Sequence, residues 1–356
     1  MTALTVHARP EEDASPRPVP WRRMAWVTWR QHRTALTGAA ALLGALAVLL
    51  WIVGLQVHHA YAAAAACRPA SSVICYDMFG SFNVMDGFLA NGVILQVVPA
   101  LIGAFVGAPV LAREMETGTF RYAWTQGFGR RRWTLAKLVL LAVAVTAAAG
   151  LFTLLMSWYY RPYFAAGNPT PQTPLFPGLF ALRGVAFAAW TLAAFSIGAL
   201  AGMLIRRVVP AIVATLAAYV ALAFAAGGWL RPAYMTPAVT SNLNVPGSAW
   251  ILSQWWTNGG KFAFAGWPSQ SLLNRFCPTG PPGPVGPGGK PKAVSLAGCL
   301  TPHGYTQWTA YQPASRFWSF QWIEGGWLLA LSVLLIAATI WLVRRRAERC
   351  PSWIVR

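Results

Sequence analysis

The sequence predicts an all-α polytopic membrane protein with six transmembrane helices, from its composition, the length of its apolar runs and the placement of its cations. Of 356 residues, 56% are hydrophobic and 10% charged, with a mean hydropathy of +0.47. A soluble globular domain carries charge at about a quarter of its positions, so this chain needs lipid as its solvent. A helix crosses the bilayer in about 20 apolar residues. Runs of that length occupy residues 34–57, 88–112, 133–160, 182–205, 208–230 and 323–343. A long polar stretch precedes the first run, which exceeds the apolar region of a cleaved signal peptide. It is therefore expected to stay in the mature protein.

The net charge of +19 would suit a nucleic-acid binder, and the position of the cations decides against that. Most Lys and Arg fall before the first run, between runs two and three, between runs four and five, and after the sixth. Short segments of the other side hold only Arg68, Arg161 and Arg183. The long 231–322 segment carries further cations, but long loops translocate regardless of charge. The charge thus reports topology, with both termini in the cytoplasm. Disulfides persist outside the cytoplasm, and Cys67, Cys75, Cys277 and Cys299 fall in predicted outer segments while Cys350 is inside. Two local pairs are the natural reading, although spacing does not fix connectivity.

Five regions follow. Residues 1–19, rich in Pro and acidic residues, are expected to form a disordered cytoplasmic tail. Residues 20–33 place Arg22, Arg23, Arg30 and Arg33 on one arc of a helix, with Trp26 among them and Trp21, Met24, Ala25 and Val27 opposite. That pattern suits an amphipathic interface helix, or equally a basic anchor for the first run. Residues 34–230 hold helices one to five, with a cytoplasmic segment at 113–132. Residues 231–322 form an outer cap or loop, aromatic at Trp250, Trp255, Trp256, Phe262, Phe264 and Trp267, and Pro/Gly-rich at 278–292. Residues 323–356 hold the last helix and a basic tail. Gly103, Gly107, Gly198 and Gly202, spaced four apart, are expected at helix contacts. Pro99 is expected to kink its helix. Trp158, Tyr159 and Tyr160 mark an outer membrane boundary.

A catalytic site needs convergent titratable groups, and the chain has nine acidic residues and five His. No HExxH zinc motif or paired intramembrane acid is present, and the adjacent His58 and His59 point about 100° apart on a helix. Gly288, Gly289 and Lys290 lack the first glycine and the hydroxyl residue of a phosphate-binding loop. Lys137 and Glu324 lie near run ends, which disfavours ion coupling through mid-membrane charge. The chain is expected to bind no metal or cofactor and not to be an enzyme by itself. If it is a pump, energy arrives from another protein.

The segment Ala112–Gly127, AREMETGTFRYAWTQG, is the most informative. With WVTWRQHR from Trp26 to Arg33, YQPASRFWSFQWIE from Tyr311 to Glu324, and an enlarged segment before the sixth run, it resembles the permease subunits of ABC-2 type transporters, in an actinobacterial branch. The resemblance implies an ABC-2 exporter-like fold in the bacterial cell membrane and a homodimer or a pairing with a similar permease. It implies docking of separate cytoplasmic ATPase subunits, on which ATP and Mg would bind. It also implies that Glu114, Glu116, Gly118, Thr119 and Arg121 are ATPase-coupling residues. The alternative is a non-transporting membrane sensor or immunity protein that binds a peptide or lipid through residues 231–322.

Overall fold

The computed structural model describes residues 21–68, 75, 94–118, 130–165, 173–241, 245–277 and 296–348. The expected tail at 1–19, the Pro/Gly-rich stretch at 278–292, Thr119, Arg121 and Cys350 lie outside the described residues.

Among the described residues, six helices are long and apolar enough to cross a membrane. Helix α1, Trp21–Ala66, runs 46 residues without a break, so the basic segment and the first apolar run are one element. Helix α2 is a composite: a 3-10 turn at Ile94–Gln96, α-helix at Val97–Ile102, a π-turn at Gly103–Gly107 and α-helix at Pro109–Thr117. Pro109 has no N–H to return to the preceding turn. The chain widens there, and the Ala108 N–H donates to the Gly103 carbonyl, five residues back, at 2.9 Å. Helices α3, Arg130–Tyr159, and α4, Ala186–Ile205, are regular. Helix α5, Val208–Ala225, is prolonged by a π-turn at Ala226–Leu230 and a 3-10 turn at Arg231–Ala233. Helix α6 spans Phe317–Glu348.

Helix α4 stands in the middle, packed against α2, α3, α5 and α6. Its glycines let α2 approach backbone to backbone. A Cβ at Gly198 would lie 2.7 Å from the Ala108 nitrogen and closer still to the Gly103 carbonyl. One at Gly103 would lie 2.5 Å from the Ala194 carbonyl, one at Gly107 2.6 Å from that of Phe195, and Gly202 lies against the Ala108 carbonyl. Lipid supplies no hydrophobic drive between helices, so such close van der Waals contact is what holds them. Between α4 and α5 the turn is only Arg206 and Arg207. Arg206 is left-handed (φ 62°), its N–H closing α4 on the Gly202 carbonyl at 3.1 Å.

Helix α1 joins α3 through Trp158, on which Trp51 and His58 stack at 4.9 and 4.5 Å. Gly54 leaves the room for that indole. Tyr159 and Tyr160 are fully buried and form edge-to-face pairs with each other. At this end of α3 they pack against protein.

The expectation of an all-α chain is corrected by residues 231–322, which contain a four-stranded antiparallel sheet. Strands β1 (Ala238–Thr240), β2 (Trp250–Asn258), β3 (Lys261–Ala265) and β4 (Tyr305–Gln312) lie in the order β1-β4-β2-β3. Gly259 and Gly260, both at positive φ, close the β2–β3 hairpin, as a tight two-residue turn requires. Trp256 is buried with Ala297 and Leu300, flanked by Phe264, Phe276 and Tyr305. The sheet is tied to the helices by Gln312, whose Nε2 donates to the Met235 carbonyl at 2.6 Å, and by Arg316, which donates to the Thr236 carbonyl at 2.6 Å. The bundle thus has a sheet end and an opposite end, where Arg206 and Arg207 join α4 to α5.

Gly198→Ala is expected to lower stability by about 1–3 kcal/mol, the usual cost of overpacking. Gly150→Ala, where nothing lies within 4 Å of the added carbon, is expected to be neutral or slightly stabilising. Thermal unfolding of both variants in one detergent checks the contrast.

Candidate functional site

At the opposite end, three helices meet on a buried cation. Lys137 of α3 has a side-chain exposure of 1% and forms an ion pair with Glu114, near the end of α2, whose side chain is 13% exposed. Its Nζ also donates to Gln31 Oε1 of α1 at 3.1 Å and sits 4.6 Å from the Trp133 ring centroid. An isolated ammonium inside an apolar bundle is costly unless it is paired and hydrogen-bonded. Here a carboxylate, an amide and an aromatic face supply what water would. Sequence reasoning assigned Glu114 to an outside partner, and the structure turns it inward.

The other predicted coupling residues are placed differently. Glu116 is exposed, and its Oε2 accepts from the Val208 N–H at 3.0 Å, capping the start of α5 where free N–H groups favour an anion. Gly118 follows the last helical residue in a left-handed conformation (φ 70°) with open space around it. A helix terminus of this kind favours glycine, so backbone conformation accounts for a glycine here within this chain. Glu114 and Glu116 therefore belong to the end of α2 itself. Of the proposed interface residues, Arg22, Trp26, Arg30 and Arg33 are exposed along α1, and Arg30 lies 5.3 Å from the Trp26 ring centroid. The side chain of Arg23 is outside the described set.

Sequence reasoning missed the partners. Lys137 was a cation within an apolar run, and such a charge demands a counter-ion. That was the available signal. Breaking the pair from one side, as in Glu114→Ala, is expected to destabilise by about 3–5 kcal/mol, whereas Glu114→Leu with Lys137→Met should cost much less. Unfolding of the two variants beside the wild type reads the difference.

The sheet end holds a second buried pair. Arg231 grips Glu324 with two parallel bonds, Nε to Oε2 at 2.9 Å and Nη2 to Oε1 at 2.7 Å. Glu324 is fully buried and Arg231 only 3% exposed. Trp190 donates to Glu324 Oε1 at 2.7 Å, and Tyr234 donates to Oε2 at 3.1 Å while accepting from Trp327 at 2.7 Å. Burial and the nearby Glu324 push the Tyr234 hydroxyl well above its ordinary range, so it stays a donor. Arg231 also donates to the Pro177 carbonyl, as does Gln96 of α2. Helices α4, α5 and α6 and the stretch before α4 are thus locked together. Beside this cluster a cavity of about 770 Å³ opens between α2, α4 and α5, lined mainly by apolar side chains including Val97, Pro99, Phe187, Leu216 and Phe224.

Cys67 and Cys75 form a disulfide, Cα to Cα 5.6 Å. Cys277 and Cys299, the second expected pair, are free thiols here, and the Cys277 thiol is hydrogen-bonded to Cys299. Loss of solvation, with that hydrogen bond, pushes the Cys277 thiol up to about 11. Because the thiolate is the nucleophile, alkylation of Cys277 in the folded protein should rise steadily with pH towards 11. In the unfolded chain it should level off near pH 8.5, the value of a free thiol. Mass-spectrometric rates at several pH values check this.

Among the described residues no three His, Cys, Asp or Glu are grouped to hold a metal. No curated protein and no solved structure matches the chain. The family described as ABC-2 membrane transporter related matches residues 40–231, more than half of the 356 residues. That stretch contains the ion pair of Glu114 with Lys137, the glycine contacts of α2 with α4, and Arg231 at its last position. The chain therefore belongs to the ABC-2 membrane transporter related family, whose members are permease components of ABC transporters, and is a multi-pass membrane protein.

Proposed function

We propose that this chain forms the membrane path of an ATP-powered exporter in the bacterial cell membrane, with both termini cytoplasmic. It works as a pair of permeases driven by separate ATPase subunits that carry ATP and Mg. One observation supports the coupling role above others. The end of α2 is tied to α3 through the pair of Glu114 with Lys137, to α1 through the bond of Lys137 to Gln31, and to the start of α5 through Glu116. A push on residues 119–129 would reach four helices at once. Glu116, Gly118, Thr119 and Arg121 are the residues proposed to meet the ATPase, with Glu114 passing the movement inward. The apolar cavity beside Arg231 suits a lipid or amphipathic cargo better than a small ion.

The second reading, a non-transporting sensor or immunity protein, draws on the sheet, which has an aromatic core of its own. The chain purified from its native membrane is expected to bring down a separate Walker-A ATPase. Gly118→Trp should lower both that association and the ATP hydrolysis measured in the complex well beyond Gly118→Ala, which carries the same strain of a side chain at positive φ without the bulk. If neither changes, the coupling assignment fails, and if no ATPase co-purifies, the sensor reading takes its place.

A further inference from the structure

Arg183 differs from the other buried cations of the bundle. Lys137 and Arg231 each hold a carboxylate, whereas no hydrogen bond or ion pair reaches the Arg183 guanidinium from any described residue. Its Nε is buried without a partner. Its Cζ lies over two rings, 4.3 Å from the Phe164 centroid and 5.2 Å from that of Phe317. Burial lowers its pKa to about 10, with Tyr160 acting the other way, so the group is still charged at neutral pH. A half-buried, charged fork to which no described residue brings an anion is an incomplete site among those residues.

The site is also rigidly built. Thr153 Oγ1 donates to the Leu182 carbonyl at 3.0 Å and to that of Gly184 at 3.2 Å, fixing the backbone on both sides of Arg183. Gln321 of α6 donates to the Phe180 carbonyl at 3.0 Å and accepts from the Ala186 N–H at 2.8 Å. Gly184, at φ 62°, has no room for a Cβ beneath that amide. On the first turns of α6, Trp318 and Trp322 are 57% and 63% exposed. Exposed tryptophans at a helix end mark headgroup depth, which identifies the source of the anion.

We propose that Arg183 binds the phosphate of an anionic lipid headgroup, at the sheet end of the bundle between Phe164 and the start of α6. The guanidinium fork matches a phosphate with two parallel N–H bonds, and two aromatic rings lie against it. Arg183 is not among the residues that line the apolar cavity, and the proposal does not depend on the transport reading.

The test uses the full chain in nanodiscs of equal phosphatidylglycerol and phosphatidylcholine, with native mass spectrometry of the lipid retained. The wild type is expected to keep phosphatidylglycerol preferentially. Arg183→Gln should reduce that preference about fivefold, the factor one cation at a membrane surface contributes, while Arg161→Gln at an exposed neighbour keeps it. Equal retention of both lipids by the wild type, or an unchanged preference in Arg183→Gln, overturns the proposal. Displacement by excess inorganic phosphate supports the phosphate chemistry and overturns the lipid as its source. Should Arg183→Gln fail to fold, Arg183→Met, which keeps an apolar stem against the rings and loses the charge, is read instead. A preference as strong as that of Arg161→Gln then overturns the assignment.

Discussion

Backbone contact between α2 and α4 sets the arrangement of everything else. With hydrogen in place of a side chain at Gly103, Gly107, Gly198 and Gly202, each helix meets the other's carbonyls and amides directly. Because α4 is the central element, that contact fixes the angle at which α2 leaves the bundle. It therefore fixes where Glu114 and Glu116 arrive. The π-turn at Gly103–Gly107 lies within the same contact, so the irregular backbone is enclosed by protein, where lipid would leave its polar groups unpaired.

The second constraint is the low dielectric of the bundle. Charge is tolerated there only with its partner, and the two partnered sites divide the helices between them. Lys137 gathers α1, α2 and α3 at one end, while Glu324 gathers α4, α5 and α6 at the other. Each pair costs desolvation and is weak as a source of net stability. What each contributes is a defined geometry among three elements. Among the described residues Arg183 breaks the pattern, which is the basis of the lipid proposal.

The six helices were legible because hydropathy over some twenty residues is a strong signal, and the glycine contacts because small residues four apart have few other uses in a membrane. The site was less legible. Lys137 and Glu324 read as residues near run ends, since sequence distance does not reveal which helix a side chain faces. Gly118 was named only through the resemblance, and the letter glycine does not say whether it serves backbone conformation or close contact. The sheet was missed although Asn258-Gly259-Gly260 between aromatic stretches is a hairpin signal. In a chain so apolar, aromatic residues outside the runs were read as an interfacial cap. Cys277 and Cys299 were placed together correctly, but the bond was not.

Helix α1 also has a mechanical property. At 1.5 Å per residue its 46 residues extend about 70 Å, more than twice the roughly 30 Å of hydrocarbon. It is gripped at Gln31 by the Lys137 cluster and, far along, by Trp158 against Trp51 and His58. A stiff rod held at two points, with about 15 Å projecting beyond the first, is a lever. A small tilt imposed on that arm is carried by the rod's own hydrogen bonds to the other face of the membrane.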